Sequence, residues 1–229
     1  MTNSAIIVTQ AIPDAIAPNV TTAYYAPPSA DGIRPGYYSV NLHQPQTRPK
    51  YEMEVLSVHE SVPGHHLQIA LANELDIPLF RQKIRFTSFI EGWALYAERL
   101  AKDAAWYEND IYGDLGRLQF EAMRAARLVV DTGIHNKGWS FEKANQFHLA
   151  NVGYSGSIAR YSVLPGQATA YMTGMLKILS LRQLAQTQLG ELYNIKEFHS
   201  VVLGNGAIPL NILQTVVNEY IADKLAENN

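Results

Sequence analysis

The sequence predicts a mainly α protein, multi-helical, with a proline-rich irregular segment at its N-terminus. Two observations carry this. Seven of the eleven prolines fall in the first 50 residues. From Tyr51 onward, apolar residues recur at helical spacing, with neither internal repeats nor low-complexity tracts.

Residues 1–50, including the run YYAPPSADGIRPGYYSVN, combine turn formers with aromatics. They read as an irregular or extended segment packed on the body, with a short strand at Tyr37 to Asn41. Residues 51–229 read as one helical metal-binding catalytic domain. Helices are expected near 51–61, 64–76, 87–105, 111–132, 140–151, 166–189, 195–203 and 208–226. Pro63 suits a first helical turn, Pro78 follows a helix end, and Ser140 serves as an N-cap before Phe141. In the third of these helices Phe89, Ile90, Trp93, Ala97, Leu100 and Ala101 form one broad apolar face.

Bulk properties narrow the function. With 229 residues, 47% of them hydrophobic, the chain can bury a sizeable core. A net charge of -3 gives no basic excess for nucleic acid, and no apolar run approaches a membrane span. The first basic residue is Arg34, so a secretory n-region is missing and a cytoplasmic location is expected. There is no cysteine. Any metal must therefore be held by His, Asp or Glu.

The chemistry gathers at VHESVPGHHLQIA, residues 58–70, where three of the seven histidines fall within eight residues. His59-Glu60 opens like a zinc-protease motif, but the position four residues on is Pro63. Zinc bonds near 2.0–2.1 Å require donor atoms about 3.4 Å apart. Residues six apart on a regular helix are displaced by ~9 Å and lie on different faces. Pro63-Gly64 is the feature that resolves this. Proline interrupts the hydrogen-bond ladder, and glycine accepts unusual backbone. If two residues loop out, His65 takes the ligand position; if three, His66 does. His65 is preferred and His66 remains the alternative.

Glu91, among Phe89, Ile90, Trp93 and Ala94, is the candidate third ligand, because a buried carboxylate needs a partner. Glu98 is read as solvated and paired with Lys102. Glu60 is the candidate general base. Tyr161 is the candidate oxyanion donor, with Tyr171 and His135 behind it, and Arg160 or Arg127 could bind a substrate carboxylate. Arg127 and Asp131 could pair along their helix, or Asp131 could orient a ligand histidine. His199 reads as an ordinary helix residue.

HESVPGHHLQIA, FIEGWALYAERLA, RLVVDTGIHNKGWS, RYSVLPGQATAYMTGMLKILSLR and EFHSVVLGNGAIPL together resemble the bacterial domain-of-unknown-function family 885. The resemblance runs from about Ala23 to the last helix. That family is similar to the gluzincin metallopeptidases, so the resemblance implies zinc (Zn2+) and hydrolysis of peptide or small amide substrates, and it supports Glu91. Family members are typically more than twice this long, which marks the chain as resembling a C-terminal catalytic half. The rival expectation is a catalytically incomplete module that self-associates or is completed by the missing N-terminal half. A di-iron carboxylate bundle is set aside, since no glutamate has a histidine three residues later.

Overall fold

The computed structural model describes residues 6–29, 31 and 33–228. It is mainly helical, with a small sheet at the N-terminal end. Strands β1 (Ile7–Ala11), β2 (Ala23–Ala26) and β3 (Gly36–Val40) form the order β1-β3-β2. β1 runs parallel to β3, and β2 antiparallel to it. The N-terminal segment is thus more regular than its composition suggests. Its prolines sit in the connections: Pro13 and Pro18 between β1 and β2, Pro27, Pro28 and Pro35 between β2 and β3. They punctuate strands whose own residues, AYYA and GYYSV, favour extended structure. Buried Asn41 ties the β1–β2 connection down, its amide donating to the carbonyls of Ala17 (2.7 Å) and Val20 (3.0 Å).

The helical body begins with a 3-10 turn at Lys50–Glu52 that leads into α1 (Met53–Glu60), followed by α2 (His65–Glu74). A short α3 (Leu79–Lys83) follows Pro78, and α4 (Thr87–Asp103) follows that. α5 (Ile111–Lys137) runs five residues beyond the expected end and closes at Gly138, whose φ of 62° suits a left-handed cap. α6 (Phe141–Val152) is capped by Ser140, which accepts from the Lys143 amide at 3.2 Å. The remainder is α7 (Ile158–Val163), α8 (Ala170–Leu189), α9 (Ile195–Leu203) and α10 (Leu210–Ala226). The sequence pattern missed α3 and α7 because five or six residues are too few to show a period.

The largest core lies where α8 packs along α4, with α9 and α10 closing it. Phe89, Trp93, Tyr96, Met175, Ile178, Phe198 and Leu213 are fully buried there. Truncating a side chain such as Trp93 to alanine costs about 3–5 kcal/mol at such a site. α4 and α8 approach so closely that a Cβ on Gly174 would lie 1.8 Å from the Ser88 carbonyl oxygen, and one on Gly92 would lie 2.4 Å from the Gly174 Cα. That contact fixes the face of α4 carrying Glu91 against the start of α8. No helix among the described residues is long and apolar enough to cross a membrane.

Candidate metal centre

After Glu60 the chain reverses in four residues. The Ser61 amide donates to Ser57 O at 2.9 Å, Gly64 N to Val58 O at 3.1 Å, and His66 N to Ser61 O at 3.1 Å. Gly64 passes against α1 so tightly that a Cβ would meet the His59 carbonyl at 2.0 Å. The Val62–Pro63 bond is cis, and Trp93 Nε1 holds the Pro63 carbonyl at 2.8 Å. Pro63 therefore belongs to this reversal rather than to a first helical turn; α2 starts at His65.

The reversal turns His65 back onto His59, their rings 4.7 Å apart and nearly perpendicular at 82°. α4 delivers Glu91 to the same point. Glu91 Oε2 lies 3.5 Å from His59 Nε2 and 3.3 Å from His65 Nε2. One donor atom from each of the three residues lies within 4.8 Å of the others, so the group could hold a metal ion. His66 points elsewhere: its Nδ1 shares a hydrogen bond with the Tyr25 hydroxyl of β2 at 2.9 Å. Tyr25 also stacks on His65, 6.5 Å between ring centres, so the sheet forms one wall of the site.

Charge and unsatisfied atoms fit a cation here. Burial opposes a charge on His59, but Glu91 and Glu98 more than offset it and push its pKa up to about 9. Burial likewise opposes ionisation of Glu91, but His59 and His65 hold it well below the usual carboxylate range. Glu91 Oε2 and His65 Nδ1 are nevertheless buried without a hydrogen-bond partner. The separations of 3.3 and 3.5 Å match the edge of a zinc tetrahedron, about 3.4 Å for bonds near 2.1 Å.

Glu98 overturns its sequence-based reading. It is 1% exposed and accepts from His59 Nδ1 at 2.7 Å, with Arg124 Nη2 3.3 Å away. Lys102 pairs instead with Asp114 at 2.7 Å, and Arg99 with Glu121 at 3.3 Å. The available signal was the seven-residue step from Glu91, which returns to the same helix face. A carboxylate on Nδ1 fixes the proton there and leaves Nε2 directed at Glu91.

The centre opens into a cleft of about 800 Å3 lined by, among others, Glu60, Arg127, Arg160, Tyr161 and Tyr171. Glu60 is buried in the wall of this cleft, close enough for its charge to favour protonation of His59. Tyr161 accepts from Arg127 Nε at 3.0 Å, and Tyr171 accepts from Gln167 Nε2 at 3.0 Å. Tyr171 also stacks against His59, 6.3 Å between ring centres. Its hydroxyl pKa is raised by burial and by Glu91, so it stays protonated. His135 is not among the lining residues; its Nε2 donates to the Tyr161 carbonyl at 2.9 Å and anchors α7. Asp131 pairs with neither Arg127 nor a ligand histidine. It accepts from the Gly166 amide at 3.1 Å and fixes the turn before α8. His199 bonds the Tyr96 hydroxyl at 2.8 Å inside the body, and burial, with Arg182 nearby, pushes its pKa down to about 4.

These features define a helical protein with a buried His/His/Glu cluster at the base of a cleft. The chain belongs to the family described as bacterial protein of unknown function (DUF885), whose pattern matches residues 3–217. Among solved structures, a protein from Colwellia psychrerythraea is 42% identical with a TM-score of 0.94, covering 97% of this chain and 39% of its own. One from Shewanella oneidensis, at 22% identity and a TM-score of 0.79, covers 93% of this chain and 40% of its own, and shares the fold. Both are described as a "putative lipoprotein". This chain therefore spans about two fifths of the length of either. No curated protein matches it. The cytoplasmic location expected from the N-terminus finds no support in these relatives.

Proposed function

We propose that the cleft is the site of a zinc-dependent hydrolase acting on peptide or related amide bonds. The observation that carries this is the convergence of His59 Nε2, His65 Nε2 and Glu91 Oε2, with Glu60 beside them in the cleft wall. Zinc suits two imidazoles and a carboxylate in a chain without cysteine. Such an ion, when bound, supplies Lewis acidity toward water and carbonyl oxygen.

The chain's own groups would do the rest. Glu60 takes a proton from the attacking water and delivers it to the leaving amine as the C–N bond breaks. Glu98 keeps His59 in the tautomer whose Nε2 carries a lone pair. The oxyanion needs a hydrogen-bond donor. Tyr161 and Tyr171 each accept one hydrogen bond, which leaves their O–H free to donate. Tyr171, in ring contact with His59, is the first choice and Tyr161 the second. The lipoprotein description of the Colwellia relative supports a place at the cell envelope for this chain as well.

The test is Glu60→Gln in zinc-loaded protein. The variant should keep about one zinc per chain and lose hydrolysis by about 10^2–10^4-fold. Wild-type turnover in Glu60→Gln would refute the mechanism.

A second reading, a binding module completed by further chain or a partner, is supported by α5. Ile111, Leu115 and Leu118 are 74%, 50% and 50% exposed at spacings that share one helix face. Self-association in light scattering supports this reading, and a clean monomer counts against it.

A further inference from the structure

The cleft is rich in arginine for a chain of net charge -3. Arg48, Arg85, Arg124, Arg127 and Arg160 line it, against the carboxylates of Glu52, Glu60 and Glu91. Four of the five have their charge accounted for. Arg124 lies against Glu98 at 3.3 Å. Arg48 donates to the Asn41 carbonyl. Arg85 and Arg160 are exposed to solvent.

Arg127 differs. It is partly buried, and its Nε donates to the Tyr161 hydroxyl at 3.0 Å. Its guanidinium lies against the rings of Tyr161 (5.4 Å) and Tyr171 (5.0 Å). No carboxylate among the described residues stands within ion-pair distance of it. Burial opposes its charge, but Tyr161, Tyr171 and the more distant Glu91 favour it, so it stays cationic. Two aromatic faces and one hydroxyl restore only part of the solvation such a cation loses. The remaining N–H donors form a planar fork that matches a carboxylate.

Position makes this more than a stray cation. One ring, Tyr171, separates Arg127 from the metal centre: it stacks on His59 at 6.3 Å and meets the guanidinium at 5.0 Å. Extended peptide advances about 3.3–3.6 Å per residue. A terminal carboxylate at Arg127 therefore sets one of the last few peptide bonds at the His59–His65–Glu91 cluster.

We propose that Arg127 docks the free C-terminal carboxylate of a peptide, so that the cleft acts near the C-terminal ends of short peptides. The cleavage rests on the hydrolytic reading above; the docking does not. In the reaction one water adds to the carbonyl carbon and the C–N bond breaks. Glu60 carries the water's proton to the departing amine. The products are a shortened peptide acid and a C-terminal amino acid or short peptide.

The experiment uses one N-acetylated tripeptide as free acid and as C-terminal amide. Binding is measured by calorimetry on metal-depleted protein, where the carboxylate has no metal to bind, and turnover on zinc-loaded protein. Wild type should bind the acid at least tenfold more tightly than the amide. Arg127→Gln should abolish that preference, and Arg127→Lys should restore part of it. In turnover, Arg127→Gln should raise KM for the acid more than tenfold with a smaller change in kcat. Equal binding of acid and amide by wild type overturns the proposal, whatever the variants do. So does an acid preference that survives in folded Arg127→Gln. Acid preference without turnover upholds the docking and counts against the hydrolase; turnover without acid preference does the reverse.

Discussion

His59 Nδ1 and the Glu98 carboxylate lie 2.7 Å apart in a part of the protein closed to water. This one hydrogen bond decides which imidazole nitrogen of His59 is offered to the cluster. It also joins the two acidic residues of α4 into one device: Glu91 at Nε2, Glu98 at Nδ1.

Glu98→Gln keeps a hydrogen-bond acceptor and removes its charge. Metal affinity should fall by about 10–100-fold, the usual effect of losing a carboxylate behind a ligand histidine. Titration against a competing chelator measures this. An affinity equal to wild type would detach Glu98 from the site.

Metal binding should be coupled to protons. In the metal-free protein His59 titrates at about 9, above its ordinary 6.5. At pH 7.5 it holds a proton that a ligand nitrogen must release, so binding should expel about one proton per ion and strengthen as pH rises. Calorimetry in buffers of different ionisation enthalpy counts it.

The same groups shape stability without metal. His59 has a raised pKa, so its contribution is complete below 6.5 and is lost as pH rises through about 9. Glu91 has a lowered pKa, so its contribution is present above 4.5 and is lost as pH falls toward its depressed folded-state value. Urea midpoints of metal-free protein should therefore be highest between these limits. His59→Ala should remove the alkaline decline between pH 6.5 and 9.

Gly64→Ala places a methyl group 2.0 Å from the His59 carbonyl oxygen. The reversal must open, which moves His65 away from His59. The expected result is a loss of metal stoichiometry and a destabilisation of about 1–3 kcal/mol, read by elemental analysis and urea unfolding.

Gly174→Ala strikes a backbone atom, the Ser88 carbonyl at 1.8 Å, with no flexible side chain to yield. It should push α8 from α4, lower Tm by several degrees and disturb the Tyr171–His59 stack. A Tm equal to wild type would show that the two helices can separate freely.

Much of this was legible in the sequence because it is local. Helical periodicity beyond Tyr51 reflects burial of one face per helix, and the prolines mark breaks wherever the chain folds around them. The histidine cluster and the Pro63-Gly64 interruption pointed to a loop that recloses the spacing. The sheet was less visible, since strands of four or five residues between prolines carry little pattern.

The sequence by itself determined the helical class, the residue types able to hold a metal, and the need for a looped-out segment between His59 and the next histidine. Only tertiary structure decided between His65 and His66, because that choice depends on how Gly64 packs on α1 and on Tyr25 engaging His66 from another element. Only tertiary structure turned Glu98 inward and left Arg127 without a carboxylate at ion-pair distance among the described residues, because pairing between distant segments is set by packing. Lys102 beside Glu98 in sequence suggested a local pair; Asp114 and His59, brought in from elsewhere, offered each residue a closer partner.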